Sequence, residues 1–217
     1  MANIINNLII IYPSKKEGQE KIQNIFQRLS NRRKENMEWW FSDLFVGGAD
    51  SSLTHEKVED ALWNDEHIGS KWAYICDYSL HDKGSANLSV ASAWDSIDLG
   101  VRKLVNEIAS VDAGVVIIHT YDDGTPTFWG AHVHEGTEFS DGREDDADDI
   151  IYFFLERNPH LKDFWDSELG DWTRNEDGEY LVDAEKAREQ YDDEVWVMIE
   201  QQQDELISEL LPTWCKA

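Results

Sequence analysis

The sequence predicts an α+β protein: a ferredoxin-like split βαβ antiparallel sheet with helices on one face, followed by an acidic helical C-terminal segment. Three observations carry this expectation. Short β-branched or alternating runs and helically spaced runs follow one another in the order β-α-(insert)-β-β-α-β-β. The consecutive strands are separated by breaks rich in Asp, Gly and Ser, which read as hairpin turns. Beyond the last strand, a long stretch with an apolar stripe at helical spacing closes the chain.

Each element has its own warrant. Ile4–Tyr12 is a β-branched run ended by Pro13 and Ser14, as a buried strand leading into a helix start should be. Between Lys15 and Lys34, Ile22, Ile25, Phe26 and Leu29 recur at helical spacing. Residues 36–66 form an aromatic-rich insert, EWWFSDLFVGG followed by a short helical stretch from Leu53 to Trp63. Trp72–Leu80 and Asn87–Trp94 are strands joined across His81–Ser85. A second helix runs from Ser96 to Ser110, with Ile97, Val101, Leu104, Val105 and Ile108 on one face and Ser96 or Asp95 as its cap. Val115–Tyr121 and Thr127–Phe139 are strands split by the turn Asp122–Pro126. These readings give a domain over 1–139 and an acidic segment over 140–217. In that segment, Ala184, Ala187, Tyr191, Val195, Met198, Ile199, Leu206 and Leu210 form the stripe of a helix from Val182 to Leu211, ended by Pro212. An antiparallel sheet leaves one face to be covered, and this segment is the candidate to dock there.

Charge narrows the function. Residues 1–110 carry 16 Asp/Glu against 12 Lys/Arg, whereas residues 111–217 carry 29 against 7, so about −22 of the formal −26 lies in the second half. Such a half repels nucleic acid and anionic membranes and attracts cationic surfaces, through a field that salt weakens. Trp72, Tyr74, Trp94 and Trp129 could form a base-stacking platform, but nucleic-acid affinity needs cations that this chain lacks. The longest apolar run, Leu8–Tyr12, is far shorter than the roughly 20 residues of a membrane span, and the start lacks the order of a signal peptide. A cytoplasmic protein is expected. Cys76 and Cys215, far apart, fit a reducing compartment, one as a core thiol and one in the tail.

Gly69-Ser70-Lys71-Trp72, then Ser92-Ala93-Trp94-Asp95 before a helix, then Tyr121-Asp122 and Phe128-Trp129-Gly130 across a hairpin resemble the YubB-like ferredoxin-fold proteins of phages and plasmids. The resemblance spans roughly residues 3–136. Ser70 stands where Thr is usual and Asp95 where Ser is usual, and the acidic C-terminal third has no counterpart. The resemblance implies the fold and a mobile-element origin, and carries over no catalytic residue.

No phosphate-binding loop, dinucleotide fingerprint, nucleophile elbow or calcium loop is present, and nothing nominates a nucleophile, so neither an enzyme nor a cofactor is expected. Acidity and the mobile-element resemblance together point to a phage or plasmid accessory protein. It would bind a basic, nucleic-acid-binding host defence protein and block it by nucleic-acid mimicry. Helical carboxylates three and four apart lie about 5–6 Å from one another, a spacing that approximates the pitch of a phosphate backbone. The expected contacts are Asp145, Asp146, Asp148, Asp149, Asp192, Asp193 and Glu194, with Trp39 and Trp40 as aromatic alternatives. A second reading is a metal or small-molecule site. His132 and His134 alternate on one strand and share a face, and His119 on the neighbouring strand lies across from them.

Overall fold

The computed structural model describes residues 4–33, 39–48, 50–81, 83–123 and 128–215; within these, the side chains of residues 31–33, 138–149, 206 and 213 are not described. Strand β1 (Ile4–Tyr12) alternates exposed and buried positions, as a strand with one face on the core must. It is followed by α1 (Lys16–Arg33), a 3-10 turn (Phe41–Phe45), α2 (His55–Val58) and α3 (Ala61–His67), then by the hairpin β2 (Ala73–Leu80) and β3 (Ala86–Ala93). Helix α4 (Asp98–Ala109) leads into β4 (Val116–Asp122), β5 (Phe128–Glu135) and β6 (Glu138–Asp146). Next come α5 (Ala147–Arg157), a 3-10 turn (Pro159–Phe164), the two-residue strands β7 (Trp165–Asp166) and β8 (Asp171–Trp172), and α6 (Val182–Leu210).

The main sheet is antiparallel throughout, with order β2-β3-β1-β4-β5-β6. Ile9 and Ile11 of β1, Leu88 and Val90 of β3 and Ile117 of β4 share a core with Ile22, Phe26 and Leu29 of α1 and Val101, Leu104 and Ile108 of α4. The aromatic insert belongs to the same core: Phe41, Leu44, Phe45, Val58 and Trp63 are all buried in it. On the opposite face, Val116, Ile118 and Val133 pack with Ile207, Leu210 and Leu211 at the end of α6. A separate apolar cluster joins Trp129 of β5 to Phe154 of α5, Trp172 of β8 and Ala184, Ala187, Tyr191, Val195, Met198 and Ile199 of α6. The acidic segment is therefore docked on the sheet through Ala184, Ala187, Tyr191, Val195, Met198, Ile199 and Leu210 of the expected stripe, while the Leu206 side chain lies outside the described residues. Among the described residues no helix is long and apolar enough to cross a membrane.

Four local expectations are corrected. The strand expected over Thr127–Phe139 is two strands, because Gly136 turns at φ +59°, where a Cβ would lie 2.3 Å from the Ala113 carbonyl oxygen. The expected boundary at residue 139 consequently falls inside β6, whose charged sequence pairs with β5 as an edge strand. Charged side chains are what an open sheet edge favours, since they discourage pairing with another chain. Helix α4 starts at Asp98 with Ile97 as its N-cap and no side-chain cap bond, because the Asp95 carboxylate accepts instead from its neighbour, the Ser96 N–H. Cys76 is exposed rather than in the core, because Ala73 and Ile75 of β2 face the core and alternation puts their neighbour on the outer face.

Candidate functional site

Several of the polar residues that the fold buries, Asn7, Ser92, His119 and His132 among them, collect at one end of the helix-covered face. His119 and His132 are directly opposed in the β4–β5 ladder, with ring centroids 6.0 Å apart, and His119 shares the parity of core residue Ile117. Asp98, the first residue of α4, sits over them, where an anion also suits the helix dipole. One carboxylate oxygen serves both rings: Asp98 Oδ1 is 3.0 Å from His119 Nδ1 and 3.2 Å from His132 Nδ1. The three ligand-type atoms lie within 4.8 Å of one another. Tyr121 closes the group, with its ring 5.3 Å from His119 and 5.4 Å from His132.

The protonation pattern of His119 follows from a buried asparagine. Asn7 Nδ2 donates to the Ile5 and Val90 carbonyl oxygens and to Ser92 Oγ, which orients the amide. Its Oδ1 is thereby turned to accept from His119 Nε2 at 3.0 Å and from the Ile97 N–H at 3.4 Å. With Nε2 carrying the proton, Nδ1 of a neutral ring presents a lone pair. That atom is buried and has no hydrogen-bond partner, although Asp98 Oδ1 stands 3.0 Å away.

Burial disfavours the imidazolium form of His119 and lowers its pKa against the opposing pull of Asp98. His134 is pushed down to about 4 by burial, reinforced by His119, His132 and Arg102. The site thus concentrates an anionic carboxylate and an unpartnered nitrogen lone pair in a place nearly closed to water.

Of the three histidines expected to cluster, the structure brings two together with Asp98. His134 is buried on the same face but stands opposite Ile117, outside the converging trio. Asp98 was not expected: the sequence marks it only as an acid near a helix start, and nothing local says which sheet position that helix end covers.

The acidic contacts fare unevenly. The side chains of Asp145, Asp146, Asp148 and Asp149 lie outside the described residues. Asp192 pairs with Arg188 at 3.7 Å, and half-buried Glu194 accepts from Gln190 Nε2. Asp193 is exposed, in line with Glu189, Glu200 and Asp204 on the outer face of α6. Trp39 is packed on the main core against Tyr78, and half-buried Trp40 meets Tyr74 in a tilted ring contact with centroids 4.8 Å apart, so both are tied into the fold.

The segments quoted for the phage and plasmid resemblance meet beside the histidines. Ser70 Oγ bonds the Trp72 and Ala93 carbonyl oxygens, and Lys71 lies 5.5 Å from the ring of Trp94. Trp94 is exposed and holds φ +62°, a conformation unusual for so bulky a residue. Gly130 lies under Tyr121, where an added Cβ would come within 2.4 Å of the hydroxyl oxygen. Gly130→Ala is expected to displace Tyr121 and cost about 1–3 kcal/mol, read in chemical denaturation, whereas the double variant with Tyr121→Phe should recover part of the loss. No family model matches this chain, and no curated protein or solved structure matches it.

Proposed function

We propose that this chain is a non-enzymatic accessory protein of a phage or plasmid that engages a basic host protein, a nucleic-acid-binding defence component, through the outward face of α6. The observation that carries this reading is the charge along that helix. From Glu189 to Leu210 it bears eight carboxylates and no Lys or Arg, while its other face is held by Tyr191, Val195, Met198 and Ile199. The row Glu189, Asp193, Glu200 and Asp204 is consequently fixed to a rigid support and faces solvent. Like charges spaced four apart weaken a helix by about 0.2–0.5 kcal/mol per pair, so folding retains the row at a cost. The strand order β2-β3-β1-β4 supports a ferredoxin-like scaffold beneath it, and the quoted motifs support the YubB-like kinship.

The test is isosteric neutralisation: Glu189→Gln, Asp193→Asn, Glu200→Gln and Asp204→Asn in one variant. This variant should unfold at a higher denaturant concentration than the parent and lose the partner captured from host lysate. Capture by the parent should itself fall steeply as salt rises from about 0.05 to 0.5 M. Capture that is indifferent to both salt and neutralisation would overturn the reading.

A further inference from the structure

We propose that Asp98, His119 and His132 form a binding centre for one divalent first-row transition ion, taken up by His119 Nδ1, His132 Nδ1 and Asp98 Oδ1. This goes beyond the acidic face of α6 and does not depend on it.

The argument begins with atoms that need something between them. His119 Nε2–H is committed to Asn7 Oδ1, so the Nδ1 lone pair of the fully buried His119 and an oxygen of the partly exposed Asp98 carboxylate confront each other at 3.0 Å. Lone pairs so placed repel unless a cation is shared between them. A proton serves between His132 Nδ1 and Asp98 Oδ1, which are hydrogen-bonded at 3.2 Å and which an ion would replace, but His119 Nδ1 makes no such bond. A metal ion suits the observed spacing. Ligands about 2.0–2.1 Å from a tetrahedral zinc lie about 3.3 Å from one another, and at octahedral angles about 3.0 Å. The two nitrogen–oxygen separations, 3.0 and 3.2 Å, fall at these values.

The surroundings have the form of a metal site. Asn7 acts on His119 as an outer hydrogen-bond acceptor, fixing the tautomer and the ring orientation, and its own two N–H groups are shared among three acceptors, the Ile5 and Val90 carbonyl oxygens and Ser92 Oγ. Two imidazoles and one carboxylate suit zinc, iron(II), cobalt(II) and nickel(II), and poorly suit calcium or magnesium, which prefer all-oxygen sets. Three protein ligands leave a coordination position for water or a small ligand. Asp98, with 26% of its side chain exposed, is the opening through which an ion would enter, since His119 is fully enclosed.

The full chain, stripped with chelator, is titrated with Zn2+ in a calorimeter, with Co2+ as a spectroscopic stand-in. One equivalent of Zn2+ should bind and raise the melting temperature, and the Co2+ form should show the visible ligand-field bands of a nitrogen-ligated ion. Asp98→Asn and His132→Ala should each weaken Zn2+ binding by more than the roughly 10–100-fold typical of an outer-shell change, whereas His134→Ala should leave it within about threefold. The surface carboxylates are the competing sink for cations. Zn2+ uptake that survives both ligand substitutions would assign the ion to them and overturn the proposal, as would absence of a saturable equivalent in the parent chain. Should the variants misfold, the Co2+ spectrum of the parent decides alone: a spectrum matching hexaaqua Co2+ refutes the centre.

Discussion

Trp129→Ala is expected to cost about 3–5 kcal/mol, a third or more of the stability of an ordinary domain, and to release the C-terminal helices from the sheet. Trp129 is fully buried on β5, and among the described residues it is the only member of the main sheet in the cluster that holds α5, β8 and α6. Truncating it leaves a cavity between the sheet and the C-terminal helices, which among the described residues also meet where the α6 end packs with Val116, Ile118, Val133, Ile10 and Tyr12. The loss should be localised. Amide exchange along α5 and the first half of α6 should accelerate far more than in β1 or β3, which belong to the other core. The indole nitrogen of Trp129 finds no hydrogen-bond partner, so the ring does its work as apolar volume. Trp129→Phe, which keeps an aromatic ring and leaves a smaller cavity, should therefore cost clearly less than the alanine variant and leave the exchange of α6 nearer that of the parent. Equal exchange in Trp129→Ala and the parent would show that α6 is held by other means.

The same residue marks how far the sequence could be read. Strand runs such as Ile4–Tyr12 and the stripe from Ala184 to Ile199 are periodic patterns, and periodicity is local information; both faces they define are buried as the spacing implies. The Gly136 turn was hidden because His132, His134 and Phe139 continue the look of one strand, and because a run of aspartates resembles a solvated loop more than an edge strand. Its positive φ belongs to the tight turn, but the lack of room for a Cβ arises from the approach of Ala113, which lies far away in sequence. The candidate site divides along the same line. Alternation put His132 and His134 on one face and allowed His119 opposite. It could not supply the register that pairs His119 with His132 rather than His134, nor the packing that sets Asp98 over the pair. Asn7 is the clearest miss: in sequence it is one polar residue in a β-branched strand, and only the fold reveals it as the residue that fixes a histidine tautomer.

Asp112→Ala is expected to remove about 3 kcal/mol, because this fully buried carboxylate caps α1 from the far end of α4. Its Oδ2 accepts from the Ser14 N–H at 2.8 Å and the Lys15 N–H at 3.3 Å, and its Oδ1 accepts from the Ser14 hydroxyl. Without it, donors at the start of α1 are left without a partner in a place poorly supplied with water. Asp112→Asn keeps one acceptor oxygen, and the Ser14 hydroxyl can rotate to accept from the new amide, so its loss should be about half as large. Gly18, on the first turns of α1, explains why that turn carries no side chain: a Cβ there would lie 2.0 Å from Asp112 Oδ2. Gly18→Ala should therefore destabilise, although alanine is the better helix former by about 1 kcal/mol. The two substitutions should not add. Once Asp112 is alanine, the new methyl at position 18 enters the vacated space and regains its helix propensity, so Gly18→Ala should stabilise the Asp112→Ala background. A thermodynamic cycle of the four proteins should give a coupling above about 1 kcal/mol, within the range seen for residues in contact. Additivity within about 0.3 kcal/mol would mean that the carboxylate and the helix do not meet at this point.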